Sequence, residues 1–255
     1  MTVRALLFAF TSAAFSVEPG MVFIPGGAFE RGRTFEWSDA DVKWYPASHQ
    51  DDLPVKTITV DPFYVDETEV TNERYAAFAK ATRHRTPYQW RRGQFGEGKA
   101  KHPVVNVSWD DAAAFCAWDR KRLPTEAEWE RAARGEAARR MFPWAGDKIT
   151  AKQAVYGQSD GPKAVCSVEK SGFGTCDMIG NVWEWCSDWY QRSYYAESPE
   201  RNPAGPSSGM YRVLRGGSWF DDPPLFLTNS YRSWARQQER SPTIGFRCAR
   251  SFPHR

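Results

Sequence analysis

The sequence predicts an α+β domain in which short helices and strands are separated by long stretches of irregular chain. Two observations predict it. Aromatic residues make up 15% of the 255 residues, and the chain carries 12 Trp, 17 Pro and 19 Gly. Rings in that number can fill a core, whereas Pro and Gly interrupt long elements and favour turns. A chain of this length can bury a substantial core, so we expect one domain with little regular secondary structure.

Three short helices are marked by residues that cap helix N-termini. Thr71 is placed to cap the first helix. Ser108 with Asp111, and Thr125 with Glu128, have the capping-box spacing that opens the second and third helices. Helices this short need a common core to persist.

The strands are predicted from apolar or alternating runs that end at turn residues. The predicted strand segments are 21–24, 57–60, 63–65, 213–219 with a tight turn, and 245–250. The block from Gly180 to Tyr190 is predicted to be compact and rich in turns, with its aromatic residues in the core.

The first sixteen residues have the pattern of a secretory signal peptide. Arg4 precedes the apolar run 5–10, and small residues lead to Ser16. We predict residues 1–16 as the signal, residues 17–255 as the domain, and a secreted or periplasmic location. The alternative is a disordered or buried N-terminal segment in a cytoplasmic protein. No later segment is apolar for long enough to span a membrane.

The charge balance argues against nucleic acid as a partner. The chain has 34 Lys and Arg against 31 Asp and Glu, and the net charge of +3 is spread along the sequence. Nucleic-acid-binding proteins concentrate basic residues on one face. A peptide, a protein or a small molecule is the expected partner.

Seven segments, in this order, resemble those of the formylglycine-generating enzyme (sulfatase-modifying factor) family. They are Met21 to Gly27 (MVFIPGG), Asp66 to Asn72 (DETEVTN), Pro103 to Trp109 (PVVNVSW), Lys121 to Glu130 (KRLPTEAEWE), Gly180 to Trp185 (GNVWEW), Arg215 to Trp219 (RGGSW) and Gly245 to Cys248 (GFRC). The resemblance spans nearly all of the chain after the leader. It implies the family's irregular α+β fold, a relative of the C-type lectin domain, but one fold hosts many functions.

The resemblance also implies a departure from the family's chemistry. In the family's enzymes two cysteines bind copper and activate oxygen, which oxidises a cysteine of a sulfatase to formylglycine. Alignment back from the GFRC segment places Thr228 and Ser233 at those two positions. A neutral alcohol is a poor ligand for the soft Cu(I) ion and does not ionise near neutral pH. Copper is therefore not expected at the family site.

Five cysteines allow two disulfides and one free thiol in an oxidising compartment. Cys116 and Cys248 match positions that form a structural disulfide in family members. Cys166 and Cys176 are separated by nine residues that include two glycines, so a flexible turn allows a local disulfide. The alternative is that all the cysteines are reduced and buried.

The family's calcium site is matched by four residues. Asp177, Gly180, Val182 and Glu184 fall where family members hold calcium through two side-chain oxygens and two backbone carbonyls. The alternative is that Asp177 caps a turn and Glu184 forms a salt bridge with a nearby Arg.

Other catalytic patterns are missing from the sequence. The four histidines are scattered, with neither zinc-ligand spacing nor a Ser-His-Asp arrangement. The clustered glutamates are interpreted as helix caps and solvated surface, not as acid/base pairs: Glu67, Glu69, Glu126, Glu128 and Glu130.

Our first functional hypothesis is a divergent oxidoreductase that acts on a peptide or a secreted small molecule without the copper pair. The alternatives are a non-catalytic lectin-like binding module that presents residues 220–243, or a paralogue that binds sulfatase-like clients. Aromatic and charged side chains in that segment suit recognition. The candidates for the ligand surface are Phe220, Asp222, Tyr231, Arg232, Trp234 and Arg236.

Overall fold

A computed structural model describes residues 19–36, 51–136, 139–146, 148–222 and 226–253. The predicted signal peptide lies outside the described residues. The helices in the described part are α1 Asn72–Thr82, α2 Trp109–Trp118, α3 Glu126–Arg134 and α4 Tyr194–Glu197. The strands are β1 Met21–Ile24, β2 Gly27–Arg31, β3 Lys56–Val60, β4 Phe63–Asp66, β5 Trp183–Trp189, β6 Tyr211–Arg215, β7 Ser233–Arg236, β8 Ile244–Gly245 and β9 Ala249–Ser251.

The strands form three small sheets, and long irregular segments connect them. The sheet orders are β1-β4-β9, β2-β3 and β7-β6-β5-β8. Pairing is antiparallel throughout, except that β8 runs parallel to β5. The predicted α+β class with low regular secondary structure is confirmed. None of the described helices is long and apolar enough to cross a membrane.

The three predicted helix caps are confirmed. The Thr71 hydroxyl accepts a hydrogen bond from the backbone of the first turn of α1. At α2 and α3 both halves of the capping box form, from Ser108 with Asp111 and from Thr125 with Glu128. Each cap satisfies N–H groups that the helix leaves unpaired.

Two strand predictions were incomplete. The 180–190 block contains the seven-residue strand β5, which sequence patterning missed because residues on both of its faces are buried. The predicted final strand divides into β8 and β9. Between them the carbonyls of Phe246 and Cys248 accept hydrogen bonds from Val70 and Asp66, so the chain leaves the larger sheet to pair elsewhere.

The interpretation of the α3 glutamates as solvated surface was wrong for Glu126 and Glu130. Both are buried and ion-paired, Glu126 with Arg232 and Glu130 with Arg215, each at 2.7 Å. Burial alone would raise the pKa of Glu126, but the Arg232 and Arg215 guanidinium groups lower it below its usual value. These pairs fasten α3 to β6 and to the segment that leads into β7.

Candidate functional site

A tight turn after β6 begins the candidate site. Gly216 and Gly217 have φ of +99° and +78°. A Cβ at Gly217 would clash with the side chain of Leu227. The RGGSW segment therefore needs glycine for both backbone conformation and space.

The five residues that follow, 218–222, form a loop that is held by several hydrogen bonds, here called the 218–222 loop. The Ser218 backbone N–H and hydroxyl both donate to the Asp221 carboxylate, at 2.8 and 2.6 Å. The Trp219 N–H donates to the Asn181 carbonyl at 2.9 Å. Burial raises the pKa of Asp221, although the bonds from Ser218 oppose that rise. These hydrogen bonds hold the loop against the rest of the domain.

The tip of the 218–222 loop carries an exposed aromatic residue and, two positions later, an exposed acidic residue. Phe220 is 65% exposed, and Asp222 is also exposed. The Trp219 ring lies edge-on to Phe220 with centroids 5.6 Å apart, and its indole N–H donates to the Pro242 carbonyl at 3.1 Å. This hydrogen bond fixes the Trp219 side chain, against which the exposed Phe220 ring packs.

The structure exposes only some of the six residues that were predicted to form the ligand surface. Arg236 is exposed, and Trp234 is half-buried against the Tyr190 ring, with centroids 4.4 Å apart. Tyr231 and Arg232 are buried, so their assignment to a surface was wrong. Sequence polarity suggested exposure for Arg232, but Glu126 compensates its charge inside the protein.

The two residues aligned with the copper positions lie in different surroundings. Thr228 is buried, and its hydroxyl oxygen accepts a hydrogen bond from the Tyr231 N–H at 3.1 Å. Ser233 is half-buried at the start of β7, opposite Leu214 of β6. Their correspondence to the family's copper ligands stays a prediction.

All five cysteines lie in the described part of the chain. The two expected disulfides are present, Cys116–Cys248 and Cys166–Cys176. Cys186 is a buried free thiol, and burial, reinforced by the nearby Asp188 carboxylate, raises its pKa well above the usual value. The disulfide-bonded protein therefore offers no thiolate pair. Two disulfides are typical of extracytoplasmic proteins.

A buried ion pair joins two of the seven segments; the sequence suggested a salt bridge of Glu184 with an Arg, but it did not identify Arg247 as the partner. The Arg247 guanidinium donates to both carboxylate oxygens of Glu184, and the Trp129 indole N–H donates to one of them at 2.8 Å. The signal in the sequence was that two otherwise apolar segments each carry one charged residue, Glu184 in GNVWEW and Arg247 in GFRC, and that these charges have opposite signs. The Glu184 carboxylate is thus fully engaged, as in the salt-bridge alternative for the calcium residues.

Three buried carboxylates keep an oxygen with no hydrogen-bond partner in the described structure: Asp52 Oδ1, Glu69 Oε2 and Asp177 Oδ1. The interpretation of Glu69 as a cap or solvated surface was therefore wrong. Burial, with the Asp177 charge next in size, raises the pKa of Glu69 well above its usual value, and burial also raises the pKa of Asp177. Hard oxygen donors of this kind suit calcium, whereas Glu184 is already bound by Arg247. Calcium here stays a prediction, with Asp177 as its available side-chain ligand.

Comparison with known proteins agrees with these landmarks. Residues 9–252 match the family described as sulfatase-modifying factor enzyme 1-like domain. The formylglycine-generating enzyme of Streptomyces coelicolor is 38% identical over 90% of this chain and 88% of its own length. The mouse protein named inactive C-alpha-formylglycine-generating enzyme 2 is 30% identical over 92% of this chain and 86% of its own.

Solved structures show the same architecture. PvdO from Pseudomonas aeruginosa superposes with a TM-score of 0.76 at 28% identity, covering 91% of this chain and 94% of that one. Variable protein 1 of Treponema denticola gives a TM-score of 0.71 at 27% identity, with the same coverage. This chain belongs to the sulfatase-modifying factor family, the family of the formylglycine-generating enzymes.

Proposed function

We propose that this chain is a binding member of its family, which recognises a peptide through the 218–222 loop and does not carry out copper-thiolate oxidation. The observation that carries the proposal is the state of the five cysteines. Four are joined in disulfides and the fifth is buried with a raised pKa. Copper-dependent oxidation needs a pair of thiolates, and the disulfide-bonded protein has none to offer.

The shape of the 218–222 loop supports a binding role. An exposed aromatic residue on a rigid base is a good anchor, because little conformational entropy is lost when a ligand packs on it. Phe220 meets this description, since the loop beneath it is held by Asp221, Ser218 and Asn181.

The chemistry of the tip favours a basic ligand. Aromatic faces attract cations, and the exposed Asp222 adds a negative charge to the same loop as the Trp219 and Phe220 rings. A peptide that carries Lys or Arg provides the complementary group. The two disulfides suit a protein that meets this ligand outside the cytoplasm.

The second candidate is the divergent oxidoreductase. Its support is the 38% identity to a formylglycine-generating enzyme over nearly the whole chain. The relationship to a protein named as inactive supports the binding role. Oxygen uptake during peptide binding separates the two, because a pure binding protein consumes none.

The test is a fluorescence-anisotropy titration with labelled peptides that differ only in Lys or Arg content. We expect the basic peptides to bind, and Phe220→Ala to weaken binding at least about tenfold, or ~1.4 kcal/mol. Tyr88→Ala is the matched control, because Tyr88 is an aromatic residue that is 72% exposed at another place in the chain. Equal losses in the two variants, or binding independent of Lys and Arg, would refute the proposal.

A further inference from the structure

A second chemical site lies at the exposed disulfide, among residues that the 218–222 loop does not use. The Cys166 and Cys176 sulfurs and a carboxylate oxygen of Glu67 all lie within 4.8 Å of one another. Cys166 is exposed, Glu67 half-buried and Cys176 buried. We propose that reduction of this disulfide creates a Zn²⁺ site, with two thiolates and the Glu67 carboxylate as ligands.

The three ligands are held together by bonds that do not depend on the disulfide. The Cys176 N–H donates to the Glu67 carbonyl at 2.8 Å, so these two residues stay neighbours in either redox state. The Cys166 N–H donates to a carboxylate oxygen of the buried Asp177 at 2.6 Å. Reduction therefore frees the sulfurs without releasing the backbone that carries them.

The loop between the two cysteines also has anchors of its own. The Trp144 indole N–H donates to the Lys170 carbonyl at 3.2 Å, and the Glu169 N–H donates to the Lys152 carbonyl at 2.9 Å. At the tip of the loop, the Phe173 ring lies under the Arg131 guanidinium group, 4.9 Å from the ring centroid. The reduced loop keeps these contacts, so we expect it to stay folded.

The donor set suits zinc. Zn²⁺ binds thiolate sulfur at about 2.3 Å and carboxylate oxygen at about 2.0–2.2 Å in tetrahedral geometry, which separates two bound sulfurs by roughly 3.8 Å. The free thiolates must therefore move apart to that separation, and Gly174, beside which the structure leaves open space, gives the loop room to adjust. Lys170 is ion-paired with one oxygen of Glu67 at 2.5 Å, which leaves the other oxygen for the metal. Water completes the fourth position, because Cys166 is exposed.

The reductant is a dithiol, and the exchange balances. One reagent thiolate attacks the Cys166 sulfur, the S–S bond breaks, and Cys176 leaves as a thiolate. The second reagent thiol then attacks the mixed disulfide, releases the Cys166 thiolate and closes a reagent disulfide. Two electrons pass to the protein, and the two reagent protons pass to solvent.

Exposure makes the reduction selective. Cys116 and Cys248 have no exposed surface, so their disulfide is inaccessible to a dithiol in the folded protein. Mild treatment of the native protein should release two thiols only.

The experiment treats the native chain with dithiothreitol without oxygen, removes the reagent by gel filtration and titrates with Zn²⁺ against a chromophoric chelator. Cd²⁺ serves as a probe whose charge-transfer absorption reports thiolate ligation. We expect two reactive thiols and one Zn²⁺ per reduced chain, with no thiolate-metal absorption in the oxidised protein. Cys166→Ser should abolish that absorption, and Glu67→Gln should weaken zinc binding at least about tenfold.

Glu73→Gln is the matched control for the carboxylate. Glu73 is a partly exposed acid paired with a lysine, Lys101, at 2.6 Å, as Glu67 is with Lys170, but it lies outside the three-residue group. Its removal should leave zinc affinity unchanged. Failure of the native disulfide to reduce, loss of far-ultraviolet circular dichroism on reduction, lack of thiolate-metal absorption, or equal zinc affinities of the Glu67→Gln and Glu73→Gln variants would each overturn the proposal.

Discussion

Glu184 and Arg247 form a bidentate ion pair inside the protein. Arg247 Nη2 lies 2.7 Å from Glu184 Oε1, and Arg247 Nε lies 2.7 Å from Glu184 Oε2. Both side chains are buried, and the two residues stand 63 positions apart in the sequence. The pair fixes β5 against the segment between β8 and β9, and Glu184 lies opposite Arg215, the residue before the Gly216–Gly217 turn.

We expect Arg247→Met to lower the free energy of unfolding by about 3–5 kcal/mol, because it leaves the Glu184 carboxylate buried without its partner. Adding Glu184→Gln should recover part of that loss. Arg201→Met is the control, since Arg201 is largely exposed in its pair with Asp61 and should cost less than about 1 kcal/mol. Urea denaturation measures all three. A loss for Arg247→Met as small as that of the control would contradict this account.

The helix caps could be predicted from sequence because each depends on residues three positions apart, as in Ser108 with Asp111. Burial of charged residues could not. Arg232 meets Glu126 across 106 positions, and a polar residue normally indicates surface, so both residues were misplaced. The sequence predicted only that Phe220 belongs to the 220–243 segment named as a ligand surface. It did not predict how exposed the Phe220 side chain is. Its rigid base depends on Asn181 and Pro242, which the fold brings from distant parts of the chain.

Asp188 should make the protein less stable as pH rises. It is fully buried, and its carboxylate accepts hydrogen bonds from the Glu126 N–H and the Ser187 hydroxyl at 2.8 and 3.1 Å. Burial, with a smaller effect of the Glu126 charge, raises its pKa from 3.8 to about 7. Because the folded state holds this proton more tightly than the unfolded state, its stabilising effect is complete below pH 3.8 and is lost as pH rises through about 7.

We therefore expect the free energy of unfolding to fall between about pH 5 and pH 8 by on the order of 2 kcal/mol. Asp188→Asn keeps the two accepted hydrogen bonds and removes the titration, so it should flatten the profile above about pH 6. Asp52, whose pKa burial raises to about 6, should still contribute at lower pH. Urea denaturation across this range is the measurement. A wild-type profile that rises with pH, or a variant with an unchanged slope, contradicts the prediction.

Calcium binding at Asp177 has a thermodynamic signature. We propose that Ca²⁺ binds at the predicted site of Asp177, Gly180, Val182 and Glu184, with Asp177 Oδ1 as the available side-chain oxygen, and we expect it to raise Tm at neutral pH relative to a chelator. A hundredfold excess over Kd would stabilise the fold by about 2.7 kcal/mol. Asp177→Asn should remove most of the shift, whereas Asp160→Asn, at an exposed acid, should not. An unchanged Tm in wild type would contradict calcium binding at this site.

Formylglycine formation tests the central claim most directly. The wild-type protein and a Cys166→Ser/Cys176→Ser variant, each supplied with copper, a thiol reductant and air, are incubated with a Cys-containing sulfatase-motif peptide, and the peptide is analysed by mass spectrometry. We expect the variant to make no formylglycine above the protein-free control, because the buried Cys186 and the buried Cys116–Cys248 disulfide leave it no copper-binding thiolate pair. The wild-type protein shows whether the Cys166 and Cys176 thiols that the reductant releases add any activity. Copper-dependent formylglycine made by the variant would contradict the account.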